Sequence, residues 1–472
     1  MPYGAPYDSP IGNPYGSPFS QPNIDAVIAI AYDLKATFTA SNQTFTDAQV
    51  LDTAAEGVET GSLTVVDTST GTVKIVGNEL EIDPSGTWNT TGLYSNVITN
   101  TPGKAIFATI DNDTVDYNAQ PLGTNIAGSI AQTTQLFYYQ LNFDGKMYFK
   151  CKDGAENYLS AAVLTSSYTA DTDYPMAIIL GGFNAAGKPY IDGDTIDDFS
   201  YGVRAVRVID GNWVLEWVEP RTNENTIYAV TISEGKVFRH SNDFLIPTNP
   251  LTPSIMFQPI FMDTFQGTND DQLVSNHTPE VVDSATGTGN PWESGSTTWT
   301  IQGNAASNTG YVATLNTAFL TDDMSISEGL FDINITGANN QTGLVLALDS
   351  VASPANYVEV YYDFSDGSVK CVKTVVGTPT SLIDVTTTYV AGAQLRAILD
   401  HDSTAGELKL KVYYNNALIG TEQTISDAGI VGNTRHGIMS VDSANTLENF
   451  TVHNRTNAAW DAEITAATGG IY

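Results

Sequence analysis

The sequence predicts an all-β chain: two tandem antiparallel β-sandwich domains behind an extended Pro/Tyr/Gly-rich N-terminal arm. Three observations predict it. Apolar/polar alternations of period two, closed by Gly, Asn and Asp, run from about Asp33 to Val452. The order and spacing of these segments repeat once along the chain. The three prolines of Ile246–Ser254 form a semi-rigid spacer between the copies. The predicted organisation is an arm over 1–24, a first sandwich over 25–246, a Pro-rich linker over 247–258, a second sandwich over 259–453 and a tail over 454–472.

The arm says Pro-Tyr-Gly-x-Pro-aromatic twice, in "PYGAPY" and "PYGSPF". Proline pre-extends a chain and lowers the entropy lost on docking. Tyr3, Tyr7, Tyr15 and Phe19 are the rigid aromatic anchors such an arm would use to bind a partner.

Hairpins follow. "LTVVDTSTGTVKIVGNELEI", "NYVEVYYDFSDGSVKCVKTVV" and "GELKLKVYYNNALIG" are each two strands about a short polar turn. No helix longer than two turns is expected. Copy matches copy in order. Phe38 corresponds to Phe265, and "IVGN" ending at Asn78 to "IQGN" ending at Asn304. "KAIFATID" from Lys104 corresponds to "EGLFDINI" from Glu328. "NFDGKMYFKCK" and "FSDGSVKCVK" each place a Cys after an Asp-Gly turn. "VRAVRVIDGNWVLEWV" from Val203 is set against "LRAILDHDSTAGELKLKV" from Leu395, and His240 against His436, each after an Arg.

The chain carries 19 Lys+Arg against 53 Asp+Glu, a net charge of -34. Such a surface repels phosphate backbones and anionic membranes, so neither nucleic acid nor membrane is expected as a partner. No run is long enough to span a bilayer, and no secretion signal is recognised. Two cysteines, Cys151 and Cys371, form no disulfide framework, and their strand context predicts buried inert thiols.

In the second copy, "DTFQGTNDDQLVSNHTPE", "WTIQGN", "LRAILDHDSTAGELKLKVYYNNALIG" and "RHGIMSVDSANTLENFTV" resemble the laminin-G-like/concanavalin A-like jelly roll. The resemblance covers Phe261–Val452 and, in softer form, Asp33–Ile246. It implies that the first and last strands pair, joining "FMDTF" to "ENFTV". Domains like this one recur in structural proteins of tailed bacteriophages. The implied function is a non-enzymatic virion structural protein, in capsid decoration or in a tail or fibre. It would be made in the host cytoplasm and held at the virion surface by its arm. The implied partners are capsid or tail subunits and further copies of the chain, with no cofactor. The alternative is an adhesin for host-surface glycans with Trp88, Trp292 and Trp299 in its groove; the same tryptophans fit equally well as plugs at the sandwich ends.

A glycan-cleaving enzyme is the third reading, because this fold also houses glycosidases. Its candidates are Glu79, Glu81 and Asp83 in "NELEID". Residues i and i+2 on a strand lie about 6.7 Å apart, within the spacing of paired catalytic carboxylates. The competing reading is a solvent-facing edge strand guarded by charge. Glu216 and Glu219, three apart, should face opposite ways. Glu359 and Asp363 share a face but lie about 13 Å apart. Acidic turns at Asp111/Asp113/Asp116 and Asp192/Asp194/Asp197/Asp198 have the oxygen ligands calcium takes, against a reading as solvated turns. No metal site is assigned.

Overall fold

The computed structural model describes residues 30–469 apart from 69–70, 84–89, 113–117, 143, 155–156, 166–167, 170–171, 222–223, 225, 235–237, 274–276, 283–291, 295–298, 309–315, 321–325, 338 and 351–352. The arm, with Tyr3, Tyr7, Tyr15 and Phe19, lies outside the described residues, as do Trp88, Asp113 and Asp116.

Antiparallel sheets dominate, as the alternation predicts. In the first sandwich the main strands are β1 (Tyr32–Ala36), β2 (Glu79–Asp83), β3 (Thr91–Ser95), β4 (Ala105–Asn112), β5 (Asn118–Asn125), β6 (Gln135–Leu141), β7 (Met147–Lys152), β8 (Tyr158–Thr165), β9 (Tyr174–Phe183), β10 (Tyr201–Ile209), β11 (Asn212–Glu219), β12 (Thr226–Glu234) and β13 (Phe238–Pro247). One sheet runs β11-β10-β9-β4-β13-β2 and the other β8-β7-β6-β5-β12-β3, each extended by short strands. Inner-face side chains such as Phe107, Tyr139, Phe149 and Ile178 are buried between them. The Tyr139 hydroxyl crosses the core to the carbonyls of Ala177 (3.1 Å) and Val206 (2.7 Å) on the facing sheet. A buried tyrosine needs such a partner for its one polar atom.

The second sandwich has β14 (Phe261–Asp263), β15 (Gly329–Gly337), β16 (Gln341–Leu348), β17 (Tyr357–Asp363), β18 (Ser368–Val375), β19 (Thr378–Thr386), β20 (Ala393–Asp402), β21 (Glu407–Tyr414), β22 (Arg435–Ser440) and β23 (Thr446–His453). One sheet runs β14-β23-β15-β20-β21; the other contains β22-β16-β17-β18-β19. β14 pairs with β23 through Phe261↔Val452, Met262↔Thr451 and Asp263↔Phe450, so "FMDTF" does join "ENFTV". β1 pairs with β13 in the same way, through Ala36↔Phe244.

Backbone geometry supports the duplication. Phe38 and Phe265 both adopt positive φ, 52° and 56°, which is rare for so large a residue. Gly77-Asn78 and Gly303-Asn304 sit at φ of 64°/70° and 63°/64°, as two-residue hairpin turns of the primed type require. Cys151 and Cys371 lie on β7 and β18, the next-to-last strands of matching sheets, and are buried free thiols. Burial pushes both thiols up, away from the thiolate.

Three expectations are corrected. β20 lies beside β15 as β9 lies beside β4, so Leu395 belongs with β9 and not with Val203 on β10. The local likeness of "VRAV" and "LRAI" hides an additional edge strand, β11. His240 is on β13 and His436 on β22, and these strands belong to non-equivalent sheets. A three-turn helix, Ala458–Thr468, closes the described chain. Asn457 caps it by accepting from the Ala459 N–H, and Gly469 ends it at φ 72°. Trp460 and Ile464 on this helix are buried in the core of the first sandwich. Gly469 then sits against Ile30 and Tyr32, so both ends of the described chain meet there.

Candidate functional site: a polar cleft between the sandwiches

The outer face of the β23-β15-β20 sheet divides into two halves. β15 sends Leu330, Asp332 and Asn334 to it, and β20 sends Ile398, Arg396 and Gln394, in register. Leu330 and Ile398 join the core of the first sandwich. One row along, Arg396 binds Asp332 through Nε (2.6 Å) and Nη2 (2.9 Å). Its Nη1 donates to the Val218 carbonyl at 2.9 Å, and its guanidinium lies 4.3 Å from the Trp217 ring. Trp217 also meets Tyr413 edge-on at 4.9 Å, and the Tyr413 hydroxyl donates to the Val163 carbonyl at 3.0 Å. This planar, always-charged side chain suits a buried junction because it satisfies a carboxylate, a carbonyl and a ring together.

Beyond that pin the sandwiches part, leaving a cavity of about 330 Å³. Its floor holds Asn334, Gln394 and Asn449; its other wall holds Phe183, Lys188 and Arg221. No hydrogen bond joins the side-chain amides of Asn334, Gln394 and Asn449 to other described residues. Arg221 is held by Glu219 at 2.8 Å. His453 lines the back; burial, then the cations Arg204 and Arg396, holds its pKa well down, so it is neutral at neutral pH. Amides that both donate and accept can engage vicinal hydroxyls.

Of the carboxylates weighed for cleavage, Glu81, Glu216, Glu219 and Asp363 are each held by a cation. β2 is interior to its sheet, not an edge, and Glu81 is buried in an ion pair with Lys74 at 2.5 Å. A bulge opposite Ala205/Val206 takes Glu216 out of register, and Arg207 binds it at 2.9 and 3.2 Å. Glu219 is committed to Arg221. Asp363 is bound by Lys370 (3.1 Å) and Gln341 (3.0 Å). Glu359 stands apart, its carboxyl pushed up to about 7 by burial.

Trp292 and Trp299 are buried, not groove-lining; the Trp292 indole donates to Asp263 at 2.7 Å. Asp194 accepts from the Ile191 N–H, and Asp197 and Asp198 begin a short 3-10 helix. Among the described residues no three His, Cys, Asp or Glu side chains gather as a metal site.

No protein-family model and no curated protein matches the chain. Several solved structures do. A carbohydrate binding module, CBM66 from Bacillus subtilis, is 15% identical with a TM-score of 0.29, over 35% of this chain and 96% of that one. The GH43 protein BlXynB from Bacillus licheniformis is 13% identical with a TM-score of 0.28, over 89% and 98%. A tail fibre protein from a phage of E. coli is 8% identical with a TM-score of 0.24, over 90% and 41%. Similarity this low carries no argument for a shared site.

Proposed function

We propose that the protein is a non-enzymatic surface protein that holds a glycan in the cleft between its two sandwiches. The observation that carries this reading is the set of amides Asn334, Gln394 and Asn449, none hydrogen-bonded to another described side chain, that line a cavity of about 330 Å³. Asn334 and Gln394 are half-buried. Asn449 is exposed, and all three amides keep contact with solvent, so a ligand's hydroxyls can take the place of water on them. The ion-paired state of Glu81, Glu216 and Glu219 favours binding over cleavage. The setting we propose is a bacteriophage virion surface, as capsid decoration or in a tail or fibre. The aromatic arm and the strongly acidic chain support that setting.

A glycan array with the full chain, followed by calorimetry on the best oligosaccharide, tests the cleft. Asn334→Ala with Gln394→Ala removes about two hydrogen bonds and should weaken binding about tenfold. An unchanged dissociation constant, or an array without a hit, sinks the reading.

A further inference from the structure

A second recognition feature lies on the outer face of β6-β7-β8. Alternation puts Tyr148, Lys150 and Lys152 of β7 on one side. In register, Lys150 stands between Tyr138 and Ala161, Tyr148 lies beside Val163, and Lys152 lies beside Tyr158. The small Ala161 leaves a slot over Lys150 whose walls are Tyr148 and Tyr158. The Lys150 Nζ is 5.1 Å from the Tyr148 ring centroid and 5.3 Å from that of Tyr158. Lys152 holds its Nζ 5.0 Å from the Tyr158 ring and 3.4 Å from the Gln135 Oε1. Tyr158 is 54% exposed, unusually open for so large a ring, and its hydroxyl is 3.3 Å from that of Tyr138.

The charge is out of keeping with the chain. Acids outnumber bases 53 to 19, yet two ammonium groups share this slot. Lys150 makes no ion pair among the described residues. Burial first, then Lys152, holds its pKa below the ordinary lysine value, with Asp144 opposing. Asp144 is itself bound by the Tyr148 hydroxyl at 2.7 Å. Lys152 is buried, so the accessible ammonium of the pair is that of the half-buried Lys150.

We infer that this slot binds the carboxylate of an acidic sugar, a uronate residue of a polysaccharide. The carboxylate takes a charge-assisted hydrogen bond from Lys150, and the apolar face of the pyranose lies against Tyr148 or Tyr158. Tyr148, Lys150 and Tyr158 are not among the residues that line the cleft.

Calorimetry of the full chain with oligogalacturonate, and with a neutral galactose oligomer of equal length, tests the assignment. The acidic oligomer should bind at least tenfold more tightly, less so at high salt. Lys150→Met should abolish that preference, and Lys150→Arg should keep part of it. Tyr158→Ala, at an exposed position, should weaken binding severalfold without disturbing the fold. The assignment is overturned if Lys150→Met binds like the parent, if Tyr158→Ala changes nothing, or if the neutral oligomer binds equally well.

Discussion

Lys104 and Glu328 show how one structural task survives a reversal of charge. Each immediately precedes the strand that pairs with its copy's last strand, β4 in one case and β15 in the other. Lys104 donates to Asp33 and to the carbonyls of Pro247 (2.8 Å) and Thr248 (2.9 Å), where the chain leaves β13. Glu328 accepts from the Thr456 hydroxyl at 2.6 Å, where the chain leaves β23. The correspondence was legible in "KAIFATID" and "EGLFDINI"; the shared task needed the fold. His436 sets a second residue-scale expectation. It is fully buried, and burial lowers its pKa from 6.5 to about 4 despite a bond to the Ile326 carbonyl. The unfolded chain takes up a proton below about pH 6.5, which the folded chain refuses until about pH 4. Stability therefore falls as pH drops through that window, by about 3 kcal/mol from this group. His453 acts with the same sign; His277, raised by Asp263 despite its burial, acts against it. Urea unfolding at pH 7 and pH 4.5 should show the loss, and His436→Gln should reduce it. Trp292 and Trp299 had two readings in the sequence, because Gly/Thr-rich neighbours surround groove and core tryptophans alike; both lie in the core of the second sandwich.

Hairpins were the most legible elements. Their turns need left-handed residues, so Gly-Asn and Asp-Gly announce them. The C-terminal helix was the least legible. "AAWDAEITAAT" shows no strong apolar stripe, and its local signals are the cap Asn457 and the stop Gly469. What holds it is Trp460 and Ile464 in another sandwich's core, and the Trp213 N–H donating to Asp461 at 2.9 Å. The Glu463 carboxylate also accepts from the Thr252 N–H in the linker. Trp460→Ala should cost about 3–5 kcal/mol, read as a lowered urea midpoint at unchanged slope. A near-zero change would mean the helix is not seated. The mismatch of Val203 with Leu395 has a similar origin: three matching letters outweigh sheet order only until the pairing is seen.

The sandwich pair was legible as a whole, from repetition and the proline spacer. The cleft was not, because its two walls come from segments more than a hundred residues apart, such as Lys188 and Asn334. The junction at Arg396, Val218 and Trp217 joins them at the head of the cleft. The proposed virion setting is tested at this scale. The full chain should co-sediment with the source particle, and a chain lacking Met1–Asn23 should stay in the supernatant; equal partitioning would remove the arm as anchor. The meeting of Gly469 with Ile30 and Tyr32 has a mechanical consequence. Tension applied between these two positions passes through the helix and the first sandwich at their contact. The second sandwich hangs outside that load path as a pendant, so a pull on the ends strips the helix before it stretches any strand of β14–β23.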